Sequence, residues 1–369
     1  MDSSKFNKYQ QAGEILNKTL QKAIELCNEL NNASHVCIYC DTMINQLLGE
    51  IFKKSDKGIT LPTCLSINEI VAHHSFTERN DYKIKENDII RIEMACHIDD
   101  NVVSIGDTIK VNNVEWNNSY VMNAAKKALE VGLIGINPGQ PISVFVKNVE
   151  KVAKCFNLNL VPRPKIFHEY DTDILFDWVF RDSENFNEPS WAVVKDHELE
   201  LEGNDFSDEE VDKNLNFTKG EVYHIIIALT TSVKKPTVSS KVPVIYQNTI
   251  NKYILKSKSA RDLINCVNKN FSMNCFKLSN LGMNENVAKL GMKECLNHGV
   301  LRSLGLIELK NCETVLLKCS IVIQNNSVYK LTGKKLVNTD PCMILTDELN
   351  NILKQPLKFD KRDDFWLSD

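Results

Sequence analysis

Ile89-Ile90-Arg91-Ile92-Glu93-Met94 and Asn101-Val102-Val103-Ser104-Ile105 are two runs rich in β-branched residues, separated by Asp99-Asp100, a pair suited to a tight turn. They read as a β-hairpin. Upstream, Ala12, Ile15, Leu16, Leu20, Ala23, Ile24, Cys27 and Leu30 recur at helical spacing opposite a face of Lys and Glu. Met43, Ile44, Leu47, Leu48, Ile51 and Phe52 repeat the pattern until Lys53-Lys54 and Gly58 close it. A similar arrangement returns downstream: Ala124, Ala125, Ala128, Leu129 and Leu133 make a helix, Pro138-Gly139 breaks it, 144–155 makes another, and strands follow at 221–228 and 314–323. The half-repeat predicts internal pseudo-symmetry. Hairpins with grouped helices, in place of regular strand-helix-strand alternation, predict an α/β fold of the α+β kind, with a mainly antiparallel sheet covered by helices.

The 369 residues are 43% hydrophobic and 25% charged, which excludes a disordered or fibrous chain. Twelve cysteines scattered through so long a chain fit a reducing compartment better than a disulfide scaffold. Residues 1–5 are polar, no apolar run nears the roughly 20 residues that cross a bilayer, and the expectation is a soluble intracellular protein with no membrane contact. The net charge of −4 conceals two blocks. Residues 196–212 hold nine acidic residues and no Lys or Arg, and read as a solvated loop. Residues 234–293 hold eleven basic residues against two acidic ones, a local net of +9 and a candidate surface for an anionic partner.

Several familiar chemistries have no support. Cys37-Ile38-Tyr39-Cys40 has CxxC spacing at a helix start but lacks a second ligand pair. His73 and His74, read as strand neighbours, would point to opposite faces and so would not join His97 in a metal cluster. There is no glycine-rich phosphate loop and no serine elbow.

Residues 61–68, Leu-Pro-Thr-Cys-Leu-Ser-Ile-Asn, are followed by His73, by Arg91-Ile92-Glu93 with His97-Ile98, and by Glu221-Val222-Tyr223. In order and spacing these resemble the core motifs of type 2 methionine aminopeptidase. They resemble still more its non-peptidase relatives, the proliferation-associated or ErbB-receptor-binding proteins, because Leu255-Lys256-Ser257-Lys258-Ser259-Ala260-Arg261 is similar to a basic segment in that subgroup's inserted subdomain. The resemblance spans roughly residues 8–336. It implies the pita-bread fold, a pseudo-two-fold α/β sandwich, here with a core at 1–245, a basic helical insert at 246–306, last core strands at 307–340 and an extension at 341–369.

In the peptidase, the resemblance implies, two aspartates, a histidine and two glutamates hold two divalent metals whose shared hydroxide attacks the substrate. The matching positions are Glu93, Ser104, His168, Ile226 and Lys318. One carboxylate is lengthened, one becomes a hydroxyl, one ligand becomes an alkyl chain and one a cation, so no metal, no cofactor and no catalytic residue is expected. His73, at the peptidase's substrate-side histidine, is then a structural remnant. Lys318 and Glu93 should pair, because each would otherwise be a buried lone charge.

The resemblance further implies docking on the large ribosomal subunit near the nascent-chain exit, through ribosomal RNA and exit-site proteins, in translation or ribosome biogenesis. Lys252, Lys256, Lys258, Arg261 and Lys269 of the insert are the candidate RNA contacts, able to reach successive phosphates. Other RNA and regulatory proteins stay open as partners. Residues 359–369 mix both charges where close relatives carry a lysine-rich tail, so tail-dependent binding is not expected. The expected compartment is the cytoplasm, with nuclear and nucleolar entry open. Two competing readings are a module that holds a peptide in the vacated pocket and a divergent metal-dependent aminopeptidase.

Overall fold

The computed structural model describes residues 1–161, 216–249, 251–324, 327–334 and 342–355, together with the backbone of 167–168 and 192–196. Helix α1 (Ser3–Asn28) starts where the Asp2 carboxylate accepts from the Lys5 N–H, and α2 (Ala33–Glu50) returns along it. Strands β1 (Lys57–Ile67), β2 (Ile89–Ile98) and β3 (Asn101–Lys110) follow as an antiparallel run. Asp99 takes the left-handed conformation the turn needs, at φ 51°. The second half repeats the plan with α3 (Tyr120–Ile134), α4 (Ile142–Cys155), β4 (Asn159–Leu160), β5 (Phe167–His168), β6 (Ala192–Asp196) and β7 (Val222–Thr230).

The chain then leaves the core. β8 (Thr237–Val238) leads to β9 (Ile245–Asn248), α5 (Lys258–Asn270), β10 (Phe276–Lys277), α6 (Glu285–Asn297) and β11 (Leu301–Ser303), and β12 (Ile307–Glu308) pairs back with β8. This insert has its own antiparallel sheet, ordered β10-β9-β11, and its own apolar cluster built on Leu263, Val267, Phe276 and Met292. Its two helices lie close because Gly291 leaves room: a Cβ there would sit 2.5 Å from the Ser259 carbonyl oxygen. β13 (Thr314–Gln324), β14 (Ser327–Lys330) and α7 (Asp347–Leu353) complete the core.

The main sheet runs β1-β2-β3-β13-β7-β6-β5, with β14 on β13 and β4 on β7. Among the described pairs only β5 and β6 run parallel. Alternation decides which side chains meet the helices. Ile90, Ile92, Met94 and Cys96 pack under α1 and α2, whereas Val315, Leu317, Cys319 and Ile321 pack under α3 and α4. Leu345, Leu349 and Leu353 join that second cluster, so the extension from 342 to 355 is part of the core. The opposite face carries Arg91, Glu93, Ser104 and Lys318, all buried.

The hairpin, both helix pairs and the two late strands lie where the sequence puts them, and the 246–306 segment contains two helices. Three readings change. His73 and His74 are in an irregular segment and not on a strand, and their rings still diverge, His73 toward Glu93 and His74 onto Phe76 with centroids 4.3 Å apart. Strand β6 has no counterpart in the sequence reading. Lys277 is buried in β10 and does not belong to the exposed basic surface. Residues 197–212 of the acidic block and 356–369 lie outside the described residues. Among the described residues no helix is long and apolar enough to cross a membrane.

Candidate functional site: a rewired ligand row and a basic insert

Strand register brings three of the five candidate ligand positions into one row. Glu93 opposes Gly106, Gly106 opposes Lys318, and Lys318 opposes Ile226. Directly opposed residues share a face of the sheet. Gly106 has no side chain, and that gap lets groups from β2 and β13 meet over β3: a Cβ at 106 would lie 2.9 Å from Lys318 Cβ. Lys318 Nζ stands 3.9 Å from Glu93 Oε1, with side-chain exposures of 0% for both. The pairing expected from the sequence is present, as a long buried ion pair.

His73 closes the cluster through its backbone. Its φ of 62° is uncommon for a residue with a Cβ, and its N–H donates to Glu93 Oε2 at 3.0 Å. Its Nε2 lies 3.8 Å from Glu93 Oε1. Burial pushes the imidazole down to about 4, although Glu93 pulls the other way, so the ring is neutral at pH 7. Burial also lowers the Lys318 ammonium from its ordinary value, opposed by Glu93.

Ser104 stands one row along, opposite Ala95. Its N–H donates to Ser320 Oγ at 2.8 Å, and its Oγ lies 3.1 Å from His224 Nδ1, itself 2.7 Å from Ser320 Oγ. Thr332 Oγ1 donates to the Ser104 carbonyl at 2.7 Å and accepts from the Ser320 N–H at 2.8 Å. On the other side of the Lys318 row, Thr108 Oγ1 accepts from the Leu316 N–H and donates to the Leu316 carbonyl, both at 2.8 Å. Hydroxyls thus stand in for ladder bonds where the two halves join, since among described residues Lys318–Gly106 is the one register pair between β3 and β13. Thr108, His224, Ser320 and Thr332 were missed as a group. For Thr108, His224 and Ser320 the signal was a polar residue set within a largely apolar strand, whereas Thr332 lies beyond β14.

His168 stands in β5, in register with Lys195 and through it with Tyr223, away from the Ile226 row. Val71, Ala72, Val161, Ile307, Leu309 and Leu316 form an apolar cluster with Ile226 over this face. Two hard dications about 3.5–4 Å apart require several anionic oxygens, bridging ones included. The row offers one carboxylate already facing an ammonium, a glycine and an alkyl chain, and the Ser104 hydroxyl is engaged by His224. The residues do not fit the metals, and among the described residues no group of three or more His, Cys, Asp or Glu is arranged to hold an ion.

The insert is different in kind. Lys252, Lys256, Lys258, Arg261 and Lys269 are all exposed on it. Ser257 caps α5 by accepting from the Ala260 N–H, and Glu294 of α6 accepts from the N–H groups of Lys256 and Ser257 at 2.6 and 3.0 Å. This holds Lys256 and Lys258 at a fixed helix start. Arg261 is partly structural, because its Nη1 donates to the Leu255 and Lys256 carbonyls at 3.0 and 2.6 Å. Lys289 is paired with Glu285 at 2.9 Å.

Helix pairs laid over a pseudo-symmetric sheet make the pita-bread fold, and residues 7–173 match the model of metallopeptidase family M24. The chain superposes on a thermophilic Arx1 with a TM-score of 0.76 at 21% identity, covering 97% of this chain and 99% of that one. It superposes on methionine aminopeptidase from Thermotoga maritima with a TM-score of 0.52 at 11% identity, covering 90% and 98%. In sequence its relatives include proliferation-associated protein A of Dictyostelium discoideum, 28% identical over 96% of this chain and 89% of that protein. ERBB-3 binding protein 1 of Solanum tuberosum is 27% identical over 92% and 84%. The resemblance to the proliferation-associated and ErbB-receptor-binding proteins therefore extends over nearly the whole chain.

Proposed function

We propose that this protein is a non-catalytic adaptor of the M24 fold that docks on the RNA of the large ribosomal subunit through its basic insert, acting in translation or ribosome biogenesis. The observation that carries the first half is the Lys318–Glu93 pair. An ammonium covalently fixed where a dication would sit repels that dication and neutralises the one remaining carboxylate. The second half draws support from the exposed lysines held on the insert and from the kinship with the proliferation-associated proteins. Phosphate recognition needs cations that reach outward, and Lys252, Lys256, Lys258 and Lys269 do so. The compartment that goes with this reading is the cytoplasm, with nuclear entry open. A peptide held in the old pocket is disfavoured by the apolar cluster packed over the row.

Co-sedimentation with large ribosomal subunits across a salt series tests the docking. Charge reversal of Lys252, Lys256, Lys258 and Lys269 spares the carbonyl-holding Arg261. Wild type should bind with an affinity that falls steeply with salt, and the quadruple variant should lose most binding and show a smaller salt slope. Equal binding by both proteins, or by neither, would refute docking through the insert.

A further inference from the structure

The sequence block that looks like one basic surface contains a lysine that faces inward, and its partner lies in the other body of the protein. Lys277 Nζ of β10 pairs with Asp41 Oδ2 of α2 at 2.9 Å, with both side chains largely buried. The Asp41 carboxylate is shared, since its Oδ1 accepts from the Thr63 N–H at 2.7 Å. Two further bonds run alongside: the Cys275 N–H donates to the Thr60 carbonyl at 2.9 Å, and Asn274 Nδ2 lies 3.2 Å from His97 Nε2. Ile245 and Cys275 of the insert pack with Leu61, Cys64 and Ala95 of the core.

The receiving site is built by an irregularity in β1. Its register with β2 shifts between Ile59 and Leu61 and again between Leu61 and Cys64, around Pro62. Proline cannot donate a ladder bond and is tolerated in a strand at a bulge. The bulge turns the Thr60 carbonyl and Thr63 N–H out of the β1–β2 ladder, and both meet groups of the latch. The Leu61-Pro62-Thr63 motif thus has a physical task in this chain. Burial disfavours the Lys277 ammonium, yet Asp41 and its other neighbours outweigh that and hold it above its ordinary value, so it stays charged.

We propose that the Asp41–Lys277 pair is a latch that fixes the insert against the core, so that Lys277 and Asp41 are positioning residues for the exposed lysines and make no contact with the partner themselves. The functional part of this inference rests on the docking proposed above. A surface set rigidly relative to the core meets its target without ordering cost, whereas an insert swinging on the 239–244 and 304–306 connections would not.

The test uses the full chain with Lys277→Met, Asp41→Asn, and the double variant Asp41→Asn/Lys277→Met, which keeps an acceptor for the Thr63 N–H. Hydrogen exchange is read separately for insert amides 245–303 and for amides of β2 and β3. Each single variant should speed insert exchange by about a hundredfold while β2 and β3 keep their protection, and the uncharged double variant should restore it. Binding to large ribosomal subunits should weaken about tenfold in the single variants with an unchanged salt slope, because every phosphate-facing lysine is still present. Insert exchange unchanged by the single variants would overturn the latch. A salt slope that falls with Lys277→Met would make Lys277 a phosphate contact and overturn it too. If wild type fails to bind subunits, the docking proposal fails while the exchange data still decide the latch.

Discussion

A lysine at position 318 changes what the surrounding side chains can be. Once it is buried, Glu93 serves as its counter-ion, and removing either partner leaves the other's buried charge without this compensation. Lys318→Met should therefore cost about 3–5 kcal/mol, whereas Glu93→Gln combined with Lys318→Met, which keeps an acceptor for the His73 N–H, should recover most of that loss. Urea unfolding of the two singles and the double gives the coupling, and additive losses would show that the pair does not interact. The histidines give a second prediction. His73 and His74 are held down to about 4 and His224 to about 3, with burial the leading cause in each. Unfolded, they titrate near 6.5, so between these values the unfolded chain binds more protons. Their stabilisation is complete above about pH 6.5 and is lost as the pH falls through about 4, each histidine adding up to about 1.4 kcal/mol per pH unit. Both His74 ring nitrogens are buried without a hydrogen-bond partner among described residues, and the ring packs on Phe76. His74→Phe should raise stability at pH 5 and flatten the urea midpoint between pH 7 and 4.5; an unchanged slope would contradict this.

At the scale of elements, the seam between β3 and β13 is where the two halves are joined. Ser320 is its hinge pin: its Oγ accepts from the Ser104 N–H and meets His224, while its N–H reaches Thr332. Ser320→Ala leaves a buried backbone donor unpaired and should cost about 1–3 kcal/mol. Thermal unfolding checks this, and a loss within a few tenths of wild type would mean that the hydroxyls do not carry the seam. Element types were largely legible in the sequence because the long strands and helices are strongly periodic. Residues 90–94 alternate, residues 314–324 are rich in β-branched and apolar residues, and the α5 and α6 helices carry their caps at Ser257 and Asn284. What escaped was set by packing between distant segments. The hydroxyl seam needs residues more than 200 positions apart, and the Asp41–Lys277 pair spans 236. Neither leaves a local pattern.

For the whole molecule, charge sum proved a poor guide and charge placement a better one. The +9 block resolves into lysines exposed on the insert, an arginine that ties a turn, a lysine paired with Glu285 and a lysine buried against the core. Glu93, Ile226 and Lys318 were singled out in the sequence by motif. Their shared row with Gly106 became visible only through strand register. The central proposal is that this row holds a lysine cation with its counter-ion where the resemblance would place metal ligands. It is tested most directly by titrating the purified protein with manganese, cobalt and zinc while following release of methionine from a methionyl peptide. The account predicts no stoichiometric metal uptake and no turnover with any of the three. One or two tightly bound equivalents with turnover that Glu93→Gln abolishes would contradict it.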